Sequence, residues 1–409
     1  MREPVDHLDP RGAKFTQRFT LVFSSYDTPM VLNSSGYGIA PSLPYTTPLT
    51  YLMNGNEIEL EHRFFGESMP ESKDWKKLNI FQAASDEHRI IQALRPLFEK
   101  KWLTTGISKG GMTATYHRFF YPNDVAATVP YSAPNSHRLG DPRYATFIEN
   151  VGTAECRERL KSFQTEILRR RPEFEARLAA DAAAEGATFN LLGIHGVVDD
   201  LVTWGAWRFW QGRLESDCAT IPSASATTDE LYDYMQYIEY GDLVWADADE
   251  GQEANAAYNY QSATELGSPR CSMDHLKPYL TPGYTCDTFD KLPPFGVEKR
   301  YQPYSMAIVG AWVKSAATRM IYLYGGNDPW SAGAFDVRSE NDSYRYIIPG
   351  ANHDPSITAL PEAQQNEIYD RLERWMEVTI DSSHRLSAKA AAASDLPIRT
   401  WRPRRGRLD

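Results

Sequence analysis

The feature that most constrains this chain is the pentapeptide Gly106-Ile107-Ser108-Lys109-Gly110, set between a short β-prone run at residues 102–105 and a helix-prone run at Lys109–Phe120. Gly-x-Ser-x-Gly between a strand and a helix forms a nucleophile elbow, in which the serine sits in a strained backbone. Small residues two before and two after it prevent clashes, and Gly111 adds room for packing. The same turn aims the helix N-terminus and the Lys109 backbone N–H at a developing oxyanion.

The flanking segments supply the sheet and helices that such an elbow needs. Residues 15–23 alternate as a strand, with residues 29–33 as an antiparallel return. Residues 47–53 and 58–65 read as two strands joined by the turn Asn54-Gly55-Asn56. Residues 85–101 carry Ile90, Ile91, Leu94, Leu97 and Phe98 at helical spacing, and residues 125–131 are β-rich. This alternation predicts a mostly parallel α/β sheet. From about residue 134 the pattern turns helical: charged stretches at 155–171 and 172–184, a tryptophan cluster, and an acidic segment at 229–240. Strand patterns resume at 319–324 and 343–348, before a helical pattern at 361–379. The expected organisation is a discontinuous core over residues 15–135 and 302–381, an inserted helical cap over 136–301, and a flexible tail over 382–409.

In an α/β-hydrolase the triad runs in the order serine, acid, histidine, with the last two on loops after later strands. Asp328 follows the strand at 319–324 through Gly325-Gly326-Asn327, and His353 follows the strand at 343–348 through Pro349-Gly350-Ala351-Asn352. His353 would take the Ser108 proton and deliver it to the leaving group, while Asp328 would fix the imidazole tautomer. Other readings are a helix cap for Asp328 and a loop histidine for His353, with Asp336 and Asp354 as rival acids. Gly55 and Asn56 are candidates for a second oxyanion donor, although a plain hairpin turn explains them as well.

The 43 basic and 54 acidic residues give a formal charge of −11, which disfavours nucleic acid as a partner. No apolar run is long enough for a membrane span. The first fourteen residues are polar, contain Pro4 and Pro10, and lack the apolar core of a secretory signal. Cys156, Cys218, Cys271 and Cys286 could form two disulfides in three connectivities or remain free thiols, and none has zinc-site spacing. No metal or organic cofactor is implied. Oligomeric state is not legible.

Several blocks together resemble the secreted tripeptidyl aminopeptidases of actinomycetes and, more distantly, the prolyl carboxypeptidase group: FTQRFTLVF, MNGNEIELEHRFFGESMP, KWLTTGISKGGMTATYHRFFYPNDVAATVPYSAPN, YLYGGNDPWSAGAF and PGANHDPSI. The resemblance implies an exported serine peptidase using Ser108, Asp328 and His353. Its substrate would be a peptide with a free amino terminus, cut after the third residue and often after proline. Such an enzyme needs carboxylates for the substrate ammonium. Glu57 and the acids Asp229, Glu230, Asp233 and Glu239 are candidates, and Trp330 and Trp207 are candidates for an aromatic wall suited to proline. Trp207 belongs to the stripe Trp204, Trp207, Trp210, which core packing explains equally well. In the block Glu61 to Gly66, Arg63 is expected to pair structurally with Glu61 or Glu67. The alternative function is an ester or amide hydrolase of a small metabolite, because the same triad cleaves both bond types.

Overall fold

Strands β1 (Arg2–Pro4) and β2 (Lys14–Thr16) pair as a small separate ribbon. The main sheet contains β3 (Phe19–Val22), β4 (Met30–Ser34), β5 (Asn56–Leu60), β6 (Trp102–Ile107), β7 (Ala127–Tyr131), β8 (Ile321–Gly325) and β9 (Tyr344–Ile348), in the spatial order β3-β5-β4-β6-β7-β8-β9. Only β3 runs antiparallel. This computed structural model describes residues 1–40, 46–239, 243–286 and 289–394. The fold is that of an α/β-hydrolase, a mostly parallel sheet with helices packed on it.

Three expectations change at the N-terminal half. The alternating run at 15–23 divides between β2 and β3, in different sheets. Residues 29–33 are no hairpin return: β4 lies parallel between β5 and β6 with every residue buried, as a strand covered on both faces must be. The run at 47–53 is a helix, α1 (Pro48–Met53), not a strand. Pro48 fits the first helical position, where its missing N–H costs nothing, and Asn54 ends the helix in the left-handed conformation (φ 45°, ψ 44°). An Asn-Gly pair that reads as a hairpin turn is here a helix terminator.

Helix α2 (Ile80–Leu94) starts earlier than its apolar periodicity suggests because the Asn79 side chain caps the Gln82 N–H. It stops at Leu94, short of Pro96. Helix α3 (Lys109–Phe120) follows β6 directly.

Between β7 and β8 the chain is helical: α4 (Pro142–Asn150), α5 (Ala154–Arg169), α6 (Arg171–Glu185), α7 (Gly193–Gly212), α8 (Thr228–Ile238), α9 (Leu243–Asp247), α10 (Asp249–Ala254) and α11 (Ala256–Gln261). Helices α5 to α9 enclose their own apolar cluster, with Phe163, Ile167, Phe174, Leu178, Leu201, Tyr232 and Met235 buried in it. Separate clusters cover the two faces of the sheet. The cysteines pair as Cys156–Cys218 and Cys271–Cys286, both within this segment.

The chain returns through α12 (Ser305–Ser315) and closes with α13 (Glu362–Met376) and α14 (Ser382–Ser394). Helix α14 falls where a flexible tail was expected. Its Ala388 is 1% exposed and shares an apolar cluster with Leu49, Leu52 and Met53 of α1. The Arg-rich stretch at 399–407 lies outside the described residues. Among the described residues no helix is long and apolar enough to cross a membrane.

Candidate active site

The parallel strands end together along one edge, where Ile107 pairs with Tyr131 and Gly325 with Ile348. Ser108 sits just past β6 with φ 57° and ψ −124°, a conformation that L-residues rarely adopt and that costs about 1–3 kcal/mol. The glycines around it are sterically obligatory. A Cβ on Gly106 would lie 2.4 Å from the Gly110 carbonyl carbon, and one on Gly110 would lie 2.1 Å from the Ser34 carbonyl oxygen. The elbow is therefore wedged against the end of β4.

Asp328 and His353 arrive from loops after β8 and β9. These loops touch so closely that a Cβ on Gly325 would lie 1.9 Å from the Asn352 carbonyl oxygen. The Asp328 carboxylate meets His353 Nδ1 at 2.7 Å through one oxygen and accepts the Trp330 N–H at 3.1 Å through the other. Both residues are at most 1% exposed. His353 Nε2 is buried with no hydrogen-bond partner among the described residues. Ser108 and His353 are tied to consecutive residues at the end of β7: the Ser108 N–H donates to the Tyr131 carbonyl at 2.8 Å, and the Ser132 hydroxyl to the His353 carbonyl at 3.1 Å.

A fourth group that the sequence did not reveal stands at the elbow. Tyr37, in the loop after β4, brings its phenol near enough to the Ser108 side chain for the two to interact. Burial, and after it the neighbouring Tyr258, hold this phenol well above its usual range, so it remains a neutral donor. The Lys109 side chain is also buried and donates to the Gly36 carbonyl at 2.5 Å, with its ammonium over the rings of Phe65 (4.9 Å) and Tyr37 (5.4 Å). Burial pushes its pKa well below the usual lysine range. Lys109 thus clamps the Tyr37 loop to the elbow. The available signal was the fully apolar start of β4 followed by Ser-Ser-Gly, which marks a core strand ending in a tight loop.

Gly55, Asn56 and Glu57 do not reach Ser108. They lie at the start of β5, at the opposite edge of the sheet, because the strand runs parallel to β6. The Asn56 side chain is committed to the loop before β4, taking the Ser24 N–H at 2.7 Å and donating to the Ser25 carbonyl at 2.8 Å. Glu57 accepts from Thr50 (2.5 Å) and from the Thr47 N–H (2.7 Å), and burial pushes its carboxyl up to about 7 against those bonds. Arg63 departs from expectation too, forming a bidentate pair with Asp86 (2.7 and 2.6 Å) instead of meeting Glu61 or Glu67.

The aromatic residues do converge. Trp330 lies 6.2 Å from the His353 ring and 5.0 Å from Trp207, and Trp207 lies 5.6 Å from Trp204. Gln211 of α7, unremarkable in the sequence, joins helix to site: its side-chain oxygen accepts from Trp207 (3.1 Å) and Trp330 (3.3 Å), and its carbonyl accepts the His353 N–H (3.0 Å). Trp210, the third of the stripe, points into the helical core instead. Of the four acids proposed on the helical segment, Glu230 closes a capping box with Thr227, Asp229 and Asp233 are exposed, and Glu239 pairs with Arg208.

Comparison with known proteins places the chain in a family. Residues 1–404 match the family described as PS-10 peptidase S37. The prolyl tri/tetrapeptidyl aminopeptidase of Streptomyces mobaraensis is 41% identical over 387 residues, covering 92% of this chain and 79% of the relative. Among solved structures, the proline iminopeptidase of Mycobacterium smegmatis aligns with 11% identity and a TM-score of 0.39, covering 95% of this chain and 99% of its own. A monoacylglycerol lipase of Paleococcus ferrophilus aligns with 12% identity and a TM-score of 0.38, covering 93% and 99%. With the family model matched over nearly its whole length, the chain belongs to the S37 family of serine peptidases.

Proposed function

We propose that the enzyme removes short peptides, chiefly tripeptides, from free amino termini, with proline favoured before the cut, and that Ser108, Asp328 and His353 do the chemistry. The observation carrying this reading is the buried 2.7 Å contact between Asp328 and His353 Nδ1, which leaves Nε2 unclaimed by any other hydrogen-bond partner among the described residues. His353 takes the Ser108 proton as Oγ attacks the scissile carbonyl, and Asp328 stabilises the imidazolium. The Lys109 N–H and the Tyr37 hydroxyl donate to the oxyanion in place of Gly55 and Asn56. Collapse releases the downstream chain with the proton from His353. Water, activated by the same histidine, then frees the peptide from its acyl-enzyme. The helical segment over 136–301 acts as a cap, and the walls from Trp207 and Trp330 suit a proline ring.

Mass-spectrometric analysis of products from unblocked and N-acetylated peptides of graded length, with proline at positions two, three and four, tests the reading. Amino-terminal tripeptides from unblocked substrates only are expected. Absence of peptide cleavage, with Ser108 still labelled by a fluorophosphonate, would move the enzyme to the ester or amide hydrolases.

A further inference from the structure

The face of α7 that carries Gln211 and Trp207 continues through Trp204 to Asp200, seven residues before Trp207 and so two turns away. Asp200 accepts the Tyr284 hydroxyl at 3.1 Å and is hydrogen-bonded to the Trp204 side chain. Around it lie Asp247 at the end of α9, Glu239 after α8, and Arg208 about two turns farther along α7. Arg208 pairs with Glu239 and feels the fields of Asp247 and Asp200 as well. Three carboxyls therefore share one guanidinium.

One carboxylate oxygen of this group stands apart. Asp247 is 2% exposed; its Oδ1 accepts from Gln252 at 3.1 Å, while its Oδ2 is buried with no hydrogen-bond partner among the described residues. An unpaired buried carboxylate oxygen is destabilising unless a cation or proton meets it. The adjacent Asp199 shows what a structural acid looks like in this segment: it is buried, paired with Arg171 and bonded to the Thr281 N–H. Burial raises the pKa of both Asp200 and Asp247, and the Asp200 carboxylate adds to the rise at Asp247. Asp200, Trp204, Arg208 and Tyr284 nonetheless keep accessible surface.

We propose, resting on the aminopeptidase reading above, that Asp200 and Asp247 form the site for the α-ammonium group of the substrate, and that α7 acts as a ruler setting how many residues are removed. At 1.5 Å per residue the two turns from Asp200 to Trp207 span about 10 Å. An extended tripeptide spans about the same length. The peptide would run along the Trp204, Trp207 and Trp330 wall, with its ammonium at the unpartnered Asp247 oxygen and its third carbonyl at Ser108. Arg208 and Glu239 position the pair, and Tyr284, two residues from Cys286, is held near it by the Cys271–Cys286 disulfide.

The test compares kcat/KM for a tripeptidyl p-nitroanilide ending in proline with its N-acetylated form, in wild type, Asp200→Asn, Asp247→Asn and the double variant. Charge-assisted hydrogen bonds of this kind predict that the unblocked-to-acetylated ratio falls about 10- to 100-fold, mainly through KM for the unblocked peptide. Both variants retaining the wild-type ratio, while folded by circular dichroism and fully labelled at Ser108, would overturn the anchor and leave the aminopeptidase reading standing. A wild-type ratio near one would overturn both. If Asp247→Asn does not fold, Asp200→Asn decides alone, since that position keeps accessible surface and asparagine can still accept from Tyr284.

Discussion

The sheet and the helical segment place their site residues by different means. On the sheet, Ser108, Asp328 and His353 follow three strand ends, and backbone contacts at Gly106, Gly110 and Gly325 leave no room for error. In the helical segment the positions are set by side chains: Gln211 joins two indoles, Arg208 gathers three acids, and two disulfides tie the chain. The candidate triad stands on parallel strands, whereas Trp204 and Trp207 stand on one helix face. A second contrast lies within the sheet. A glycine turn and a buried carboxylate occur at the wrong edge, in Gly55 and Glu57, and resemble a site only until strand direction is known.

Four substitutions sharpen these contrasts. The largest effect is expected for Ser108→Ala, which should lower kcat about 10⁴-fold or more with an unchanged melting profile; turnover near wild type would remove the proposed nucleophile. Tyr37→Phe should reduce kcat about 10²- to 10³-fold with little change in KM, the pattern of a lost oxyanion donor, measured by steady-state kinetics. Replacing Cys156 and Cys218 by serine opens a loop of 62 residues and should cost about 2–4 kcal/mol in denaturant unfolding, concentrated in the helical segment. Uniform destabilisation of sheet and helices, read by hydrogen exchange, would erase the distinction between the two regions.

The smallest effect on catalysis is expected at the other sheet edge. Glu57→Gln should leave kcat/KM unchanged, because the side chain cannot reach Ser108. Its signature is thermodynamic. With the folded carboxyl raised from 4.5 to about 7, the folded state binds the proton more tightly than the unfolded one. Stability from this group is therefore greatest below about pH 4.5 and falls as pH rises toward 7. Chemical denaturation of wild type and Glu57→Gln across that window should show the slope in the first and its loss in the second.

Much of the site was legible because it depends on local order. The elbow motif, the glycine-rich loops before Asp328 and His353, and the order of the three residues all survive as linear patterns. Trp207 and Trp330 were readable as candidates, but their convergence through Gln211 was not, since 119 residues separate Gln211 from Trp330. The Tyr37 loop is not legible in the sequence for a related reason: residues 29–33 read as a hairpin return leave Ser35-Gly36-Tyr37 no place at the edge that carries Ser108.

By itself, then, the sequence determined the hydrolase architecture, the elbow and the candidate triad, because strand periodicity and glycine sterics act over a few neighbouring residues. Tertiary structure alone decided that β4 runs parallel beside β6, that Pro48 starts a helix, that Lys109 ties the Tyr37 loop to the elbow, and that the Asp200 charge on α7 acts on Asp247 of α9. Each of these depends on strand direction or on contacts between distant segments. Burial and electrostatic pairing across such distances leave no periodic trace along the chain.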